Sequence, residues 1–421
     1  MPDLTTSHRH FGKQSAEPYK GTKFTRKKQS LFAMKITPIP VRDLLPFAER
    51  VIGDAKPGQF IPITMQRAAA QAKNPYAAKD DTALLVAVDD DEEIVGYFGI
   101  LPLLLRAGND YHKVHWFTTW NVSAKVRGQG VGSQLMQAAL DLEQDYLIVG
   151  SAYARRVCRK FGFAERSLDY FWLDLSGMAK LNPLVWMRRG YRKMRHLLGI
   201  KKETAINTPL TESFANRVAP FTRRIFAPHL GRLESDLLEG FRYQEVPKIH
   251  AEPPTPPHIP KVELHRGVDA INWMLACPWV VETGKSVTEG MDYYFSDARP
   301  LYRQIAVEIF NRENEYLGFA VFSVTRKGSG VFLQIRDFRL TQPSCERAVL
   351  ALALRYARQY RANIIELPTE IAAYLPPKLG RLLLQRKTRT YQMHPKTEES
   401  PLARLWPEIT LHLYDGDMGF S

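Results

Sequence analysis

Cysteine is scarce: Cys158, Cys277 and Cys345 are the only three among 421 residues, and no two stand in a C-x-x-C pair. That excludes a disulfide framework and a cysteine zinc cage, and it fits a reducing compartment. Long apolar runs are also lacking. The longest, IVGYFGILPLLL at 94–105, is too short to span a bilayer and contains Gly and Pro. Residues 1–30 are polar and basic without an apolar centre, unlike a secretory signal. A soluble cytoplasmic protein is the expectation. Acidic residues are outnumbered, 44 against 58 Lys and Arg, for a formal net charge of +14. That balance favours anionic partners without choosing among nucleic acid, acidic lipid and phosphorylated ligands. With 45% hydrophobic residues the chain is a folded protein, and its length suits two or three domains.

Residues 1–33 read as a disordered basic tail. From Met34 an extended segment and a helical pattern lead to TALLVAVDDDEEIVGYFGILPLLL at 82–105, two β-rich runs around the acidic turn Asp89–Glu93. The acids read as a solvated turn. YHKVHWFTTWNV at 111–122 is a further strand, followed by a glycine turn and a helix over 132–143. A strand at 146–150, a helix at 152–161 and a strand at 169–175 complete a domain over 35–176. The fold class is α+β, a mixed, mostly antiparallel sheet flanked by helices. Residues 177–245 form a basic helical connector. In it, Leu184, Met187, Tyr191, Met194 and Leu198 make an apolar stripe, and 176–202 holds eight Lys or Arg and no Asp or Glu. Such a helix at 183–200 either docks on its own domain or lies on nucleic acid or, weakly, on anionic membrane. The Pro-rich stretch 246–261 is a linker. Residues 262–421 then repeat the plan: strand, charged turn and strand at 304–325, the strand VFLQIRDFRL, a helix, ANIIELP as a strand, and a helix over AAYLPPKLGRLLLQRK. TRTYQMH and ITLHLYD read as closing strands. Where the first copy has RGQGVG, the second has TQPSCE.

The glycine turn carries the chemistry. Arg127-Gly128-Gln129-Gly130-Val131-Gly132-Ser133 follows a strand ending at Asn121-Val122 and opens an apolar helix. Glycine permits positive φ and close approach of a ligand to the backbone. The helix start adds unpaired N–H groups and the positive end of its dipole. Together they suit phosphate or pyrophosphate. The Walker pattern fails, because Gly132 is followed by Ser133-Gln134, and the Rossmann fingerprint fails because its third glycine falls one place early.

The pattern Arg127-x-x-Gly130-x-Gly132, with SAYARRVCRKFGF at 151–163 downstream, resembles the GNAT superfamily of acyl-CoA-dependent N-acyltransferases. The resemblance implies that the turn, with Asn121, Val122 and Ser151, binds the pyrophosphate and neighbouring parts of acetyl-CoA. It implies two GNAT-like copies, the second without its pyrophosphate turn, as in tandem aminoacyl- and myristoyl-transferases. The implied activity is acetyl transfer to a primary amine of a small molecule, sugar or peptide, with no metal. Two other readings stand beside it: an aminoacyl-tRNA-dependent transferase, with tRNA as partner, and a non-catalytic membrane or nucleic-acid module with a vestigial site.

Amide formation needs a neutral amine, and an ammonium with a pKa near 10.4 sits about 4–5 kcal/mol from that form at pH 7. A thiolate leaving group needs only about 2 kcal/mol of help. Where the family commonly has a tyrosine acid this chain has Cys158, which either donates the proton or packs as a buried thiol. Tyr153 is a second candidate. The family often places a Glu on the strand before the turn, and residues 114–122 hold no acid. His115 and His112 titrate nearby, either as a base or as packing and surface residues, and the second domain is another source of a base. Asp415 and Asp417 in YDGDMGF resemble an acidic metal pair, but Asp-Gly is also ordinary turn chemistry.

Overall fold

Alternation along TALLVAV writes the first buried strand. Leu84 and Val86 face one apolar layer, and Leu85 and Ala87 face another, so the strand is covered on both sides. The computed structural model describes residues 34–175, 226–253 and 262–420, apart from 287 and 329. The tail 1–33, the basic stripe at 183–200 and half of the Pro-rich stretch, 254–261, lie outside the described residues. The described residues belong to one unit.

In the first half, β1 (Lys35–Pro40), β2 (Thr82–Val88), β3 (Ile94–Ala107) and β4 (Asp110–Val122) are successive antiparallel neighbours. At the β2–β3 turn, Asp89 Oδ1 accepts from the N–H groups of Asp91 and Glu93 at 3.1 and 2.9 Å, which makes these acids turn residues. Helices α1 (Val41–Gly53) and α2 (Met65–Ala72) cover the Leu84–Val86 face. Helices α3 (Val131–Leu140) and α4 (Ala152–Lys160) contribute to the opposite layer. Between them β5 (Tyr146–Ile148) runs parallel to β4, and β6 (Ala164–Asp174) follows α4.

The second half holds α5 (226–238), β7 (Phe241–Val246), β8 (Val262–Leu264), α6 (Val268–Ala276), the short pair β9 (Val281–Glu282) and β10 (Ala298–Arg299), and then β11 (Tyr302–Asn311), β12 (Tyr316–Lys327) and β13 (Gly330–Leu340). Next come α7 (Glu346–Gln359), β14 (Ile364–Pro368), α8 (Thr369–Ala372), α9 (Pro377–Leu383), β15 (Leu384–His394) and α10 (Pro401–Leu405). As in the first half, three antiparallel strands lead to a helix and a parallel strand, β14 beside β13. The fold is mixed α+β, with one large, mostly antiparallel sheet in the order β1-β2-β3-β4-β5-β15-β6-β14-β13-β12-β11-β7.

Three local expectations are corrected. AAYLPPKLGRLLLQRK is helical only over Pro377–Leu383, because Leu384 switches to extended backbone and starts β15. ITLHLYD makes only a bridge, Thr410 to Glu263, instead of a strand. The halves also exchange central strands: β15 inserts between β5 and β6, and β6 pairs with β14.

A buried charge cluster ties the halves together. Glu263 accepts from Arg106 and Arg339, both at 2.7 Å, and pairs with His412 Nε2 at 3.0 Å. Arg266 donates to Asp337 at 2.6 Å and to Asp415 at 3.3 Å. Burial alone would raise the Glu263 pKa, but His412 and the guanidinium groups of Arg339 and Arg266 outweigh it and hold the carboxyl well below the usual range. Its stabilising contribution is therefore present above the unfolded carboxylate pKa and is lost as pH falls below it. Glu263→Gln should cost about 3–5 kcal/mol by removing the buried carboxylate that Arg106, Arg339 and His412 share. Chemical denaturation from pH 7 to pH 3 checks this: the variant should be weaker at pH 7 and show a shallower acid decline.

Candidate active site

The site begins with one glycine in β3. Residues Phe98 and Ile100 pair with Trp120 and Phe117, so Thr118 and Thr119 together oppose Gly99. A Cβ on Gly99 would lie 2.2 Å from Thr118 Oγ1 and 2.7 Å from Thr119 Oγ1. This bulge turns β4 at the point where it parts from β5. The β4–β5 ladder consists of His115↔Tyr146, Trp116↔Leu147 and Phe117↔Ile148. Beyond Phe117, β4 continues beside β3 while the chain after Ile148 turns into α4. The wedge between them is a cleft of about 710 Å³, within the roughly 300–1,000 Å³ usual for ligand sites.

The glycine turn forms one wall. Gly128 and Gly130 have φ of +89° and +88°, and a Cβ on either would meet nothing within 4 Å. Gly96 lets α3 approach the sheet, since Val131 Cγ1 and Leu135 Cδ1 lie 3.0 Å from where its Cβ would stand. The Ser133 and Gln134 N–H groups bond to Gly130 O, and Gln129 N–H bonds to Val126 O. The N–H groups of Gly128, Gly130, Val131 and Gly132 have no hydrogen-bond acceptor among the described residues. Their residues line the cleft at the positive end of α3. Arg127 also lines it, exposed and with no ion pair among the described residues. Unpaired amides, open space above two glycines and a free guanidinium fit a diphosphate.

Asn121, Val122, Arg127, Gly128, Gly130, Val131, Gly132, Ser133 and Ser151 all border this cleft, and Gln129 does not. Ser151 caps α4 by accepting from Ala154 N–H at 3.2 Å. Tyr153 stands at the mouth, 68% exposed. Two candidates for proton transfer, Cys158 and His115, are buried away from the cleft. Cys158 lies one position past Val157, and at that angle its thiol enters the core with Phe117, Ile148 and Phe163. Burial pushes it up to about 12. His115 is buried beside Tyr146, does not line the cleft, and is lowered to about 4 by burial. Cys158→Ala should leave kcat unchanged and lower stability by about 1–3 kcal/mol. Parallel kinetics and thermal melts measure both.

Two groups of residues came from outside the first-half motifs. Tyr294 and Phe295 reach the cleft from the second half. Their signal is the aromatic triplet YYF at 293–295. From the C-terminal segment, Asp417 Oδ1 accepts from Trp116 Nε1 at 3.1 Å; like His115, neither residue lines the cleft itself. A Cβ on Gly416 would lie 2.0 Å from Trp116 Cε2, so only glycine lets that backbone rest on the indole. Burial raises the Asp417 carboxyl above the ordinary range, against the pull of Arg67 and the Trp116 hydrogen bond. Asp415 is taken up by Arg266. Among the described residues no group of three His, Cys, Asp or Glu is placed to hold a metal, and no helix is long and apolar enough to cross a membrane.

The second wedge differs. The β13–β14 ladder ends at Gln334↔Glu366, and Leu411, His412, Leu413 and Tyr414 line the gap beyond it. Tyr414 hydrogen-bonds Glu366 there. Pro343 has no N–H to offer before α7. Glu346, in its first turn, is pushed up to about 7 by burial and Glu370.

The model of the Acetyltransferase (GNAT) family matches residues 54–163. No curated protein matches the sequence. Among solved structures, a GCN5-related N-acetyltransferase from Anabaena variabilis is similar at 10% identity and TM-score 0.42, covering 87% of this chain and 73% of that one. A GCN5-related N-acetyltransferase from Kribbella flavida is similar at 14% identity and TM-score 0.38, covering 86% and 70%. Saccharomyces cerevisiae N-myristoyltransferase with bound myristoyl-CoA is similar at 7% identity and TM-score 0.40, covering 89% and 85%. Residues 54–163, which contain the glycine turn and most of the cleft, form a GNAT-family acetyltransferase domain.

Proposed function

We propose that the protein transfers an acetyl group from acetyl-CoA to a primary amine bound on the side of β4 where Trp116 and Asp417 meet. The observation that carries this reading is the set of four unpaired amides facing the cleft beside Arg127. Bound acyl-CoA would supply a thioester carbon, at which a C–N bond forms and the C–S bond breaks with sulfur leaving as thiolate. The chain does the rest. Gly128, Gly130, Val131 and Gly132 donate to the diphosphate and Arg127 adds charge, each such bond contributing about 1.5–3 kcal/mol. Asp417 takes the amine proton. Its raised pKa makes it a stronger base than an exposed carboxylate, and Trp116 fixes its direction. The thiolate leaves without a required acid, and Tyr153 at the mouth is the phenol nearest that path on α4. The second wedge, filled by its own chain, shapes the acceptor side. The acetyl group follows the family description of residues 54–163.

The test incubates the full chain with acetyl-, octanoyl- or myristoyl-CoA and a panel of amines, with mass-spectrometric detection. An N-acetyl product with release of free CoA is expected. No amide from any thioester, or product formed only from charged tRNA, contradicts the proposal.

A further inference from the structure

Arg67 is a buried cation without a partner. It is 5% exposed, and its Nε has no hydrogen-bond acceptor. Among the described residues its guanidinium makes no hydrogen bond and no ion pair. Its carbon stands 4.3 Å from the Trp279 ring, 5.5 Å from Phe295 and 5.9 Å from Tyr293. Three more buried polar groups in the same place lack partners: the phenols of Tyr97 and Tyr293 and the indole N–H of Trp279. Aromatic faces offset part of the cost of a buried guanidinium, but they leave its N–H fork unfilled, and an uncompensated buried charge is expensive to keep. Within this one cluster of rings a guanidinium without an ion pair stands among two phenols and an indole N–H, with the Tyr97 phenol near the Asn121 side chain, a donor set that suits an oxyanion.

The position gives this cluster a purpose. Phe295 lines the cleft and separates it from Arg67. Tyr97 pairs in register with Asn121, which lines the cleft as well. Asp417 senses the charge of Arg67 without forming an ion pair with it, so the cluster adjoins the carboxylate placed to take the amine proton. Resting on the acyl-transfer reading, we propose that Arg67, Tyr97 and Tyr293 receive the carboxylate of an amino-acid acceptor whose apolar side chain lies against Phe295 on the cleft side. One arginine balances one negative charge. A phosphate dianion would leave a second charge buried and uncompensated, which favours carboxylate.

The test uses calorimetry on the full chain with phenylacetate, phenylacetamide and phenyl phosphate, and CoA titrated separately. Phenylacetate should bind about 10–100-fold more tightly than its neutral amide. Arg67→Met should remove that preference, keep the CoA affinity, and melt at the same temperature as wild type or higher, because an unpaired buried charge has been replaced by a matched apolar chain. Arg67→Lys should keep part of the preference. Equal binding of acid and amide, tighter binding of phenyl phosphate, or a lowered melting temperature for Arg67→Met would each overturn the proposal, the last by assigning Arg67 a packing role. If CoA fails to bind while phenylacetate still discriminates, acyl transfer falls and the anion site stands. The reverse result removes the anion site alone.

Discussion

Gly130→Asp should weaken CoA binding by about 100–10,000-fold while leaving the protein folded, the difference of two or so charge-assisted hydrogen bonds. Three effects add. Position 130 is the N-cap of α3, and an aspartate there accepts hydrogen bonds from the first-turn amides that the diphosphate needs. Its charge repels the diphosphate. Its Cβ enters the open space above the turn, where nothing of the protein lies within 4 Å. The left-handed backbone at φ +88° costs a non-glycine residue about 1–3 kcal/mol. The new cap returns about 1 kcal/mol. The melting temperature should therefore fall only modestly. Gly130→Ala, which brings strain without charge or cap, should lose less affinity. Calorimetry with CoA, paired with melts of both variants, separates binding from folding.

Asp417→Asn should lower kcat by about 100–10,000-fold, the usual contribution of a positioned base, with CoA affinity unchanged. The asparagine carbonyl can still accept from Trp116 Nε1, so the local geometry survives. The pH profile carries the diagnosis. Asp417 must be ionised to act, and burial lifts its pKa above the ordinary carboxylate range. For wild type, kcat should rise with pH through that raised pKa, and the variant should lack this acid limb. Stability moves the other way. A carboxyl with a raised folded pKa favours folding below its unfolded pKa, and that advantage is lost as pH rises through the folded pKa. Above its raised pKa the ionised Asp417 is therefore a burden, and there the asparagine variant should be at least as stable as wild type. A variant of full activity would remove Asp417 from the chemistry.

The parts of the site legible in the sequence were those dictated by backbone chemistry over a few residues. Gly128 and Gly130 announce positive φ, and the helix after them announces free N–H groups. Strand alternation in TALLVAV shows two covered faces. What stayed hidden depends on long-range pairing. A strand pattern does not name its neighbours, so the insertion of β15 between β5 and β6 has no local signature. Cys158 and Val157 differ by one helical step, yet only Val157 borders the cleft. His115 and Trp116 alternate across the sheet, and the face with Asp417 is the one Trp116 takes. DGD at 415–417 reads as ordinary turn chemistry, and neither it nor YYF at 293–295 carries a local sign that the fold places it beside β3 and β4. Arg67 has no local signal, because the aromatic rings that bury it come from 279–295.

The central claim is that the main-chain amides of the glycine turn bind the diphosphate of coenzyme A. The most direct measurement is an amide spectrum of the full chain labelled with ¹⁵N-glycine, recorded with and without CoA. The account predicts that Gly128, Gly130 and Gly132 shift together on binding, and that pantetheine, which lacks the diphosphate, leaves them in place. Binding of CoA with these three amides unmoved would contradict it.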